Sequence, residues 1–175
     1  MPVQKMLVVD VNKCTGCRMC EMACSLFHEG VCSPSLSRIR VYERHAGVEE
    51  ITIPVVCMHC TDPPCVAVCP MGGMKEDEDT GTGVCADVCI GCRLCFMACP
   101  VGAISFAPPP NVKPLKCDLC GGDPQCVKFC QTQALVYVPV MQAHRLRAKK
   151  LLDHYVSRRG ETPEDEGAAA YEVKV

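Results

Sequence analysis

Short apolar segments alternate with loops along most of the chain, and their length and period predict strands. Five segments are apolar, or apolar at every second position: 5–10, 38–43, 50–56, 103–107 and 134–138. A period of two in such short runs is typical of half-buried strands. Segment 20–28 predicts a short helix. Segments 45–49 and 75–83, which contain Gly and charged residues, predict a turn and an exposed loop.

The pattern changes after Pro139, where helical spacing replaces alternation. Segment 140–159 predicts an amphipathic helix in which five apolar side chains share a face: Met141, Ala148, Leu151, Leu152 and Tyr155. The helix either packs on the domain with a solvated basic face or docks on a partner subunit; binding to a membrane surface is a third interpretation. The tail 160–175 is acidic, which predicts a segment that is flexible alone or wraps a partner.

Cysteine dominates the composition, with 18 Cys among 175 residues, while aromatic residues make up 5% and Trp is absent. This density is typical of a disulfide scaffold or a metal protein. The first residues contain no basic region followed by a long apolar stretch, so we expect a cytoplasmic protein. Because disulfides are rare in that reducing compartment, the cysteines are predicted to bind metal.

Other classes of function have little support. The formal net charge of −2 argues against a nucleic-acid partner, and no run approaches the roughly 18–20 apolar residues of a membrane span. The chain contains no GxGxxG fingerprint and no P-loop. With so much of the chain devoted to cysteine loops, we expect no catalytic residues and no enzyme activity of the chain on its own.

Sixteen of the cysteines fall into four groups with closely similar spacing. They are Cys14, Cys17, Cys20 and Cys24; Cys57, Cys60, Cys65 and Cys69; Cys89, Cys92, Cys95 and Cys99; and Cys117, Cys120, Cys126 and Cys130. Groups one and three have the C-x2-C-x2-C-x3-C spacing of bacterial ferredoxins, and Pro100 completes the motif in group three. Four such groups in one chain are very hard to reach by chance, and they predict cubane iron–sulfur clusters.

The spacing has a physical reason. Two residues between cysteines allow a tight loop to wrap one side of a cubane, with backbone N–H groups directed at sulfur. Gly16 and Gly91 lie inside these loops, where a positive φ or a close backbone approach favours glycine. Structural zinc sites usually join two Cys pairs separated by a dozen or more residues, so zinc is the weaker interpretation, and a disulfide framework is weaker still.

The fold class predicted is α+β, with two nested ferredoxin-like modules of short strands and helices around paired clusters. In two-cluster ferredoxins the fourth cysteine of each string ligates the other cluster, so the groups must be paired. Symmetry and nesting favour an outer module (about 1–35 plus 112–139) and an inner module (about 50–107) within one domain, 1–139. Spacing alone leaves a second pairing open, with group one joined to two and group three joined to four.

At these motifs the chain resembles the four-cluster iron–sulfur subunits of the dimethyl-sulfoxide-reductase type. The resemblance rests on CMHCTDPPCVAVCP at 57–70 and CIGCRLCFMACPVGAI at 89–104 and extends over roughly 5–138. The opening string CTGCRMCEMACSLFHEG at 14–30 looks like the small ferredoxin-like subunit of tungsten aldehyde oxidoreductase complexes. The sequence departs from the family at Ser25 and Gln131, where proline is common, and in its short fourth group.

The resemblance implies which cysteines share a cluster. The four implied ligand sets are Cys14/Cys17/Cys20/Cys130, Cys117/Cys120/Cys126/Cys24, Cys57/Cys60/Cys65/Cys99 and Cys89/Cys92/Cys95/Cys69. All sixteen positions are Cys, so four [4Fe–4S] clusters and no three-iron cluster are implied. Cys32 and Cys85 are left over, and we expect buried or inert thiols there. His59 is expected to pack or to hydrogen-bond near a cluster sulfur rather than to bind metal.

The expected function is one-electron transfer. Each oxidised cubane with four thiolates carries about −2, so four would bring the formal charge to about −10, which nearby cations must offset. The candidates are Lys13, Arg18, Lys113, Lys116 and Lys128. The resemblance implies a subunit of a hetero-oligomer. One partner would be a tungsten- or molybdenum-pterin catalytic subunit that oxidises an aldehyde to a carboxylic acid. The chain would relay electrons between that subunit and a ferredoxin or a flavin/NAD subunit. The alternatives are a free soluble polyferredoxin or the iron–sulfur subunit of another reductase or hydrogenase.

Overall fold

The structure is a computed structural model, and it describes residues 5–46, 49–76, 83–85, 87–110 and 112–158. Strands and helices are all short except the last. The strands are β1 (Lys5–Val9), β2 (Arg40–Ala46), β3 (Glu49–Val55), β4 (Met74–Glu76), β5 (Gly83–Cys85), β6 (Ser105–Phe106), β7 (Pro114–Leu115) and β8 (Leu135–Pro139). The helices are α1 (Met19–Glu29), α2 (Pro64–Ala67), α3 (Leu94–Ala98), α4 (Gln125–Lys128) and α5 (Val140–Arg158).

The described strands form four antiparallel two-stranded sheets, β1–β8, β2–β3, β4–β5 and β6–β7. In the first, Lys5 lies opposite Pro139 and Val9 opposite Leu135, so the first and last strands close the domain on itself. Small isolated sheets of this kind are marginal in water and need support from packing. Along the chain, each cysteine group connects a strand of one sheet to a strand of another.

Most of the predicted elements are confirmed. Strands β1 and β6 lie within their predicted segments, and β2, β3 and β8 overlap theirs but extend one to three residues beyond them. Strands β2 and β3 form the predicted hairpin, and α1 begins one residue before and ends one residue after its predicted bounds. The predicted loop 75–83 is wrong at both ends, because β4 pairs with β5 from Met74 opposite Cys85 to Glu76 opposite Gly83. Residues 77–82 of that segment lie outside the described residues. The pattern also missed β7, which at two residues is too short to show a period.

Helix α1 ends at Glu29 and is capped by Gly30. Gly30 adopts a left-handed conformation with φ 71, and its N–H donates a hydrogen bond to the Leu26 carbonyl at 3.0 Å. This is the common glycine cap of a helix C-terminus. Within the helix, the buried Glu21 carboxylate accepts a 2.8 Å hydrogen bond from the Val41 N–H, which ties α1 to the β2–β3 hairpin.

The core contains cysteine in unusual proportion. The larger buried cluster joins aliphatic residues such as Leu7, Ile39 and Leu135 with five buried cysteines: Cys20, Cys24, Cys57, Cys117 and Cys126. The smaller one consists of Cys65, Met74, Cys95 and Ile104. Thiols therefore occupy much of the interior that aromatic side chains fill in other small domains.

Helices of the cysteine groups pack in two pairs. Helix α1, from group one, contacts α4, from group four, and α2 contacts α3. The outer pair lies beside β1 and β8, since α4 also contacts β8. Elements of the outer groups therefore lie together, and so do elements of the inner groups.

Helix α5 packs on β1 and β8, but not through the predicted apolar face. Its completely buried residue is Ala143, and Lys150 Nζ donates a 2.8 Å hydrogen bond to the Val9 carbonyl. All five side chains of the predicted face are exposed, with Met141 at 72% and Leu152 at 64%. The small Ala143 side chain allows close approach to the sheet, which leaves the apolar face on the outside. No helix in the described ranges combines the length and hydropathy needed to cross a bilayer.

A buried isoleucine offers a test of this core. Ile39 is 1% exposed, and Ile39→Ala should lower the free energy of unfolding by about 2–5 kcal/mol because it leaves a cavity among the cysteines. The control is Ile53→Ala on β3, where the side chain is 42% exposed and a loss below about 1 kcal/mol is expected. Denaturant unfolding of the anaerobically purified protein measures both, and equal losses would contradict this description of the core.

Candidate metal centres

The loops of groups one and three have the same backbone conformation. Gly16 and Gly91 have φ of 69 and 71, and Arg18 and Arg93, which precede α1 and α3, have φ of 57 and 64. Two left-handed residues in such a short loop curl the backbone around one point. The first three cysteines of each group are therefore spaced around the inside of a loop.

Groups two and four reach a similar curvature with other residues. His59 has φ 48, and Leu119 and Cys120 have φ of 57 and 51. Helix α2 begins at Pro64 and α4 directly after Pro124, where a fixed φ and a missing N–H suit the start of a helix. The third cysteine of each group lies in the helix that follows its loop: Cys20, Cys65, Cys95 and Cys126.

Three small cavities are each lined by four of the predicted site cysteines. Their cysteine linings are Cys69, Cys89, Cys92 and Cys95; Cys57, Cys60, Cys65 and Cys99; and Cys14, Cys17, Cys20 and Cys130. In each cavity, three cysteines come from one group and the fourth from the last position of another group. These are three of the sets that the family resemblance implies.

The fourth implied set also lies together. Cys24, Cys117 and Cys126 belong to one buried cluster, and Cys120 lies close enough to Cys24 and Cys126 to interact with both electrostatically. Burial, reinforced by the neighbouring Cys24 and Cys120 thiols, raises the pKa of Cys126 far above its ordinary value. Four sulfur atoms from groups one and four are thus close together in the interior.

Cys32, one of the two remaining cysteines, takes no part in these arrangements. Cys32 is exposed and lines none of the three cavities. Of the two expected alternatives, a buried or an inert thiol, the exposed position of Cys32 leaves the inert thiol, which stays a prediction. The side chain of Cys85 lies outside the described residues.

Backbone N–H groups are directed at several of the sulfurs. Arg38 N donates to Cys24 Sγ at 3.3 Å, and His59 N, Ala103 N and Leu119 N donate at 3.4 Å to Cys57, Cys99 and Cys117. At Cys69 the N–H groups of Met74 and residues 71–73 lower the thiol pKa although burial acts the other way. Such donors stabilise negative charge on sulfur, as an iron–sulfur cluster requires.

The buried thiols fit a metal centre electrostatically as well. Burial raises the pKa of Cys20 to about 12, and it raises that of Cys117 well above its ordinary value. A coordinating thiol, in contrast, is deprotonated outright by the metal. The set of Cys24, Cys117, Cys120 and Cys126, in which three of the four thiols are buried, is suited to a cationic iron core because bound metal would offset the charge of adjacent thiolates.

His59 supplies an independent test of that fit. Its Nδ1 and Nε2 atoms are both buried without a hydrogen-bond partner among the described residues, and its ring lines the cavity of Cys57, Cys60, Cys65 and Cys99. Burial, together with the charge of Lys116, lowers the pKa of His59 to about 4, so the ring is neutral near pH 7. A buried donor without a partner costs about 1–3 kcal/mol, and a cluster sulfur is an acceptor that would satisfy it.

Sequence reasoning missed a polar group beside Cys120. His28 Nε2 lies 3.3 Å from Asp118 Oδ1 and 3.6 Å from Cys120 Sγ, and Arg38 Nη1 donates to Asp118 Oδ2 at 3.4 Å. His28 follows Cys24 by one helical turn on α1, so this spacing was the signal that could have revealed it.

Comparisons with known proteins agree with this chemistry. The 4Fe-4S dicluster domain matches residues 48–139, and the 4Fe-4S binding domain matches residues 11–26. The sequence is 44% identical over 125 residues to the polyferredoxin-like subunit of aliphatic sulfonate oxidoreductase from Pyrococcus furiosus, covering 71% of this chain and 70% of the relative. It is 37% identical over 158 residues to the B subunit of anaerobic dimethyl sulfoxide reductase from Escherichia coli, covering 80% and 76%.

One solved structure aligns over nearly the whole length of the protein. It is the BamBC active site complex of benzoyl coenzyme A reductase, with 26% identity and a TM-score of 0.45. The alignment covers 90% of this protein and 97% of the matched polypeptide.

The first cysteine loop can be tested at its glycine. A Cβ on Gly16 would lie 3.0 Å from Thr52 Cγ2, and φ 69 adds left-handed strain of about 1–2 kcal/mol. Thr52 Oγ1 donates a 2.9 Å hydrogen bond to the Cys14 carbonyl, so Gly16→Ala should also loosen this link between β3 and the loop. In Gly30→Ala, φ is 71 but no described atom lies within 4 Å of the new Cβ. Thermal unfolding should show the larger loss for Gly16→Ala; a smaller or equal loss would contradict the close contact.

Proposed function

Because the chain belongs to the family of 4Fe-4S dicluster proteins, we propose that it is a non-catalytic electron-transfer subunit that carries four [4Fe–4S] clusters. Its relatives include subunits named for dimethyl sulfoxide reductase and aliphatic sulfonate oxidoreductase. The more specific proposals about partner and reaction all require that the chain is an iron–sulfur subunit of an oxidoreductase complex.

The observation that carries the proposal is the composition of the cavities. Four cysteines line each of three cavities, and four more lie together beside α1 and α4. We therefore assign the clusters to the sets Cys14/Cys17/Cys20/Cys130, Cys24/Cys117/Cys120/Cys126, Cys57/Cys60/Cys65/Cys99 and Cys69/Cys89/Cys92/Cys95. The contacts of α1 with α4 and of α2 with α3 support an outer module of about 1–35 plus 112–139 and an inner module of about 50–107.

In this proposal the protein residues hold and tune the electron carriers. The clusters, when bound, supply one-electron chemistry. The thiols fix their positions, the aliphatic core excludes water, and the N–H groups of Arg38, His59, Ala103 and Leu119 stabilise charge on sulfur. Hydrogen bonds to sulfur and solvent exposure are the features with which a protein sets cluster potentials.

The partner we propose is a tungsten- or molybdenum-pterin catalytic subunit in the cytoplasm, with aldehyde oxidation to a carboxylic acid as the reaction. The string at 14–30 supports this setting by resemblance to tungsten aldehyde oxidoreductase complexes. Electrons would pass on to a ferredoxin or a flavin/NAD subunit. A second setting, oxidation or reduction of a sulfonate, is supported by the relative with 44% identity.

The outer face of α5 favours a subunit over a freely diffusing polyferredoxin. Met141, Leu151, Leu152 and Tyr155 are each at least 60% exposed on this helix. Several large apolar side chains exposed on one helix are typical of protein–protein contacts and are unfavourable on a protein that stays alone in water.

Cysteine variants test the cluster assignment. If the outer groups share clusters, Cys24→Ser and Cys117→Ser alter the same EPR signal, and Cys14→Ser and Cys130→Ser alter a second one. Pairing of group one with group two would instead make Cys24→Ser resemble variants of group two. Cys32→Ser is the control, because this exposed thiol lies outside the cavities and its loss should leave about 16 Fe per polypeptide.

The first measurement is purification of the tagged protein from its native host without oxygen, followed by Fe, W, Mo and Zn analysis. We expect about 16 Fe per polypeptide with stoichiometric W or Mo. The same iron without either metal would favour a free polyferredoxin or a partner without a pterin. Zinc in place of iron would refute the cluster assignment.

A further inference from the structure

Lys116 differs from the other candidate cations because it is buried. Lys116 as a whole residue is 7% exposed. The side chains of Lys113 and Lys128, in contrast, are 60% and 50% exposed. Charged residues are almost never fully buried unless they are paired, because leaving water costs several kcal/mol per ion. The position of Lys116 therefore favours a negative group close to its side chain.

The described residues offer no carboxylate for this partner. Arg18 pairs with Glu43 at 3.1 Å, Lys113 pairs with Asp87 at 3.7 Å, and Lys128 pairs with Asp123. No ion pair or hydrogen bond engages Lys116 Nζ within the part of the chain that the structure describes. The exposed ion pairs are screened by water and salt, whereas the charge of a largely buried lysine is screened much less.

The surroundings of Lys116 are cysteines. It lines the cavity of Cys57, Cys60, Cys65 and Cys99, and it directly precedes Cys117, which belongs to a different cysteine set. Cys57 and Cys117 lie in the same buried cluster and interact electrostatically. Lys116 is thus located where an inner cysteine set and an outer one meet in the core.

The backbone holds Lys116 in place. Leu115, its neighbour, lies opposite Ser105 in the β6–β7 sheet and is itself buried. Ala103 lies two residues before Ser105, and its N–H donates a hydrogen bond to Cys99 Sγ. One short ladder therefore fixes both the buried cation and a cysteine of the cavity that it lines.

We propose that Lys116 is the charge partner of the cluster held by Cys57, Cys60, Cys65 and Cys99, and that it raises the reduction potential of this cluster. The proposal rests on the proposed function, since it requires a cluster in that cavity. Reduction adds one electron, drawn from the neighbouring cluster of the same protein, which is oxidised. No bond is formed and no proton moves. A fixed positive charge stabilises the more negative reduced state, so electrons arriving from the outer module are favoured at this cluster.

Three variants of the full-length protein test this role. Lys116→Met removes the charge at similar length, Lys116→Arg keeps the charge, and Lys113→Met removes an exposed charge three residues earlier. EPR-monitored redox titration of the anaerobically purified proteins, with iron analysis, measures the potential of each cluster. The cluster of interest is the one whose signal Cys60→Ser alters.

The expected result is a more negative potential for that cluster in Lys116→Met, with Lys116→Arg close to the original protein and Lys113→Met unchanged. Unchanged potentials in Lys116→Met with full iron would overturn the proposal. If Lys116→Met loses iron while Lys116→Arg keeps it, the buried charge is required as proposed; loss in both would assign Lys116 to packing instead. A starting protein without [4Fe–4S] signals would refute the proposed function, which is a separate outcome.

Discussion

The convergence of cysteine sulfurs in sets of four is the constraint on which the other features of this fold depend. Cysteines lie in both buried clusters of the core, and five of them belong to the larger one. Burial raises the pKa of thiols such as Cys20 and Cys117, so these groups become thiolates only when bound metal offsets the charge. The small sheets and short helices are therefore best understood as supports for these sulfur sets.

That constraint explains why the backbone is unusual where the cysteines lie. Left-handed residues recur in all four loops, at Gly16, His59, Gly91 and Cys120 among others. Strained or permissive positions of this kind are maintained only where the surroundings require them. Here they curl each loop, so that the cysteines face inward and backbone N–H groups point at sulfur.

The polar residues near the cysteines follow the same logic. Among the described residues, His59 has two buried ring nitrogens without partners, His28 and Asp118 lie beside Cys120, and Lys116 is a buried cation. The unpartnered His59 nitrogens and the Lys116 charge would be unfavourable in an ordinary apolar core. Together they describe an interior arranged for anionic groups, while the apolar face of α5 is exposed on the outside.

Local patterns in the amino-acid sequence were enough to predict most elements, whereas long-range packing alone settled which cysteines meet. Spacing and period predicted the cysteine loops, most strands and α5, but β7 and the pairing of β4 with β5 involve too few residues to show a period. Cys14 and Cys130 line one cavity because β1 pairs with β8 and α1 packs on α4, and spacing carries no information about such contacts. The apolar stripe of α5 was visible in the sequence, but packing of the helix through the small Ala143 left this stripe facing outward. The burial of Lys116 also depends on tertiary structure, because Lys116 directly follows the β6–β7 ladder.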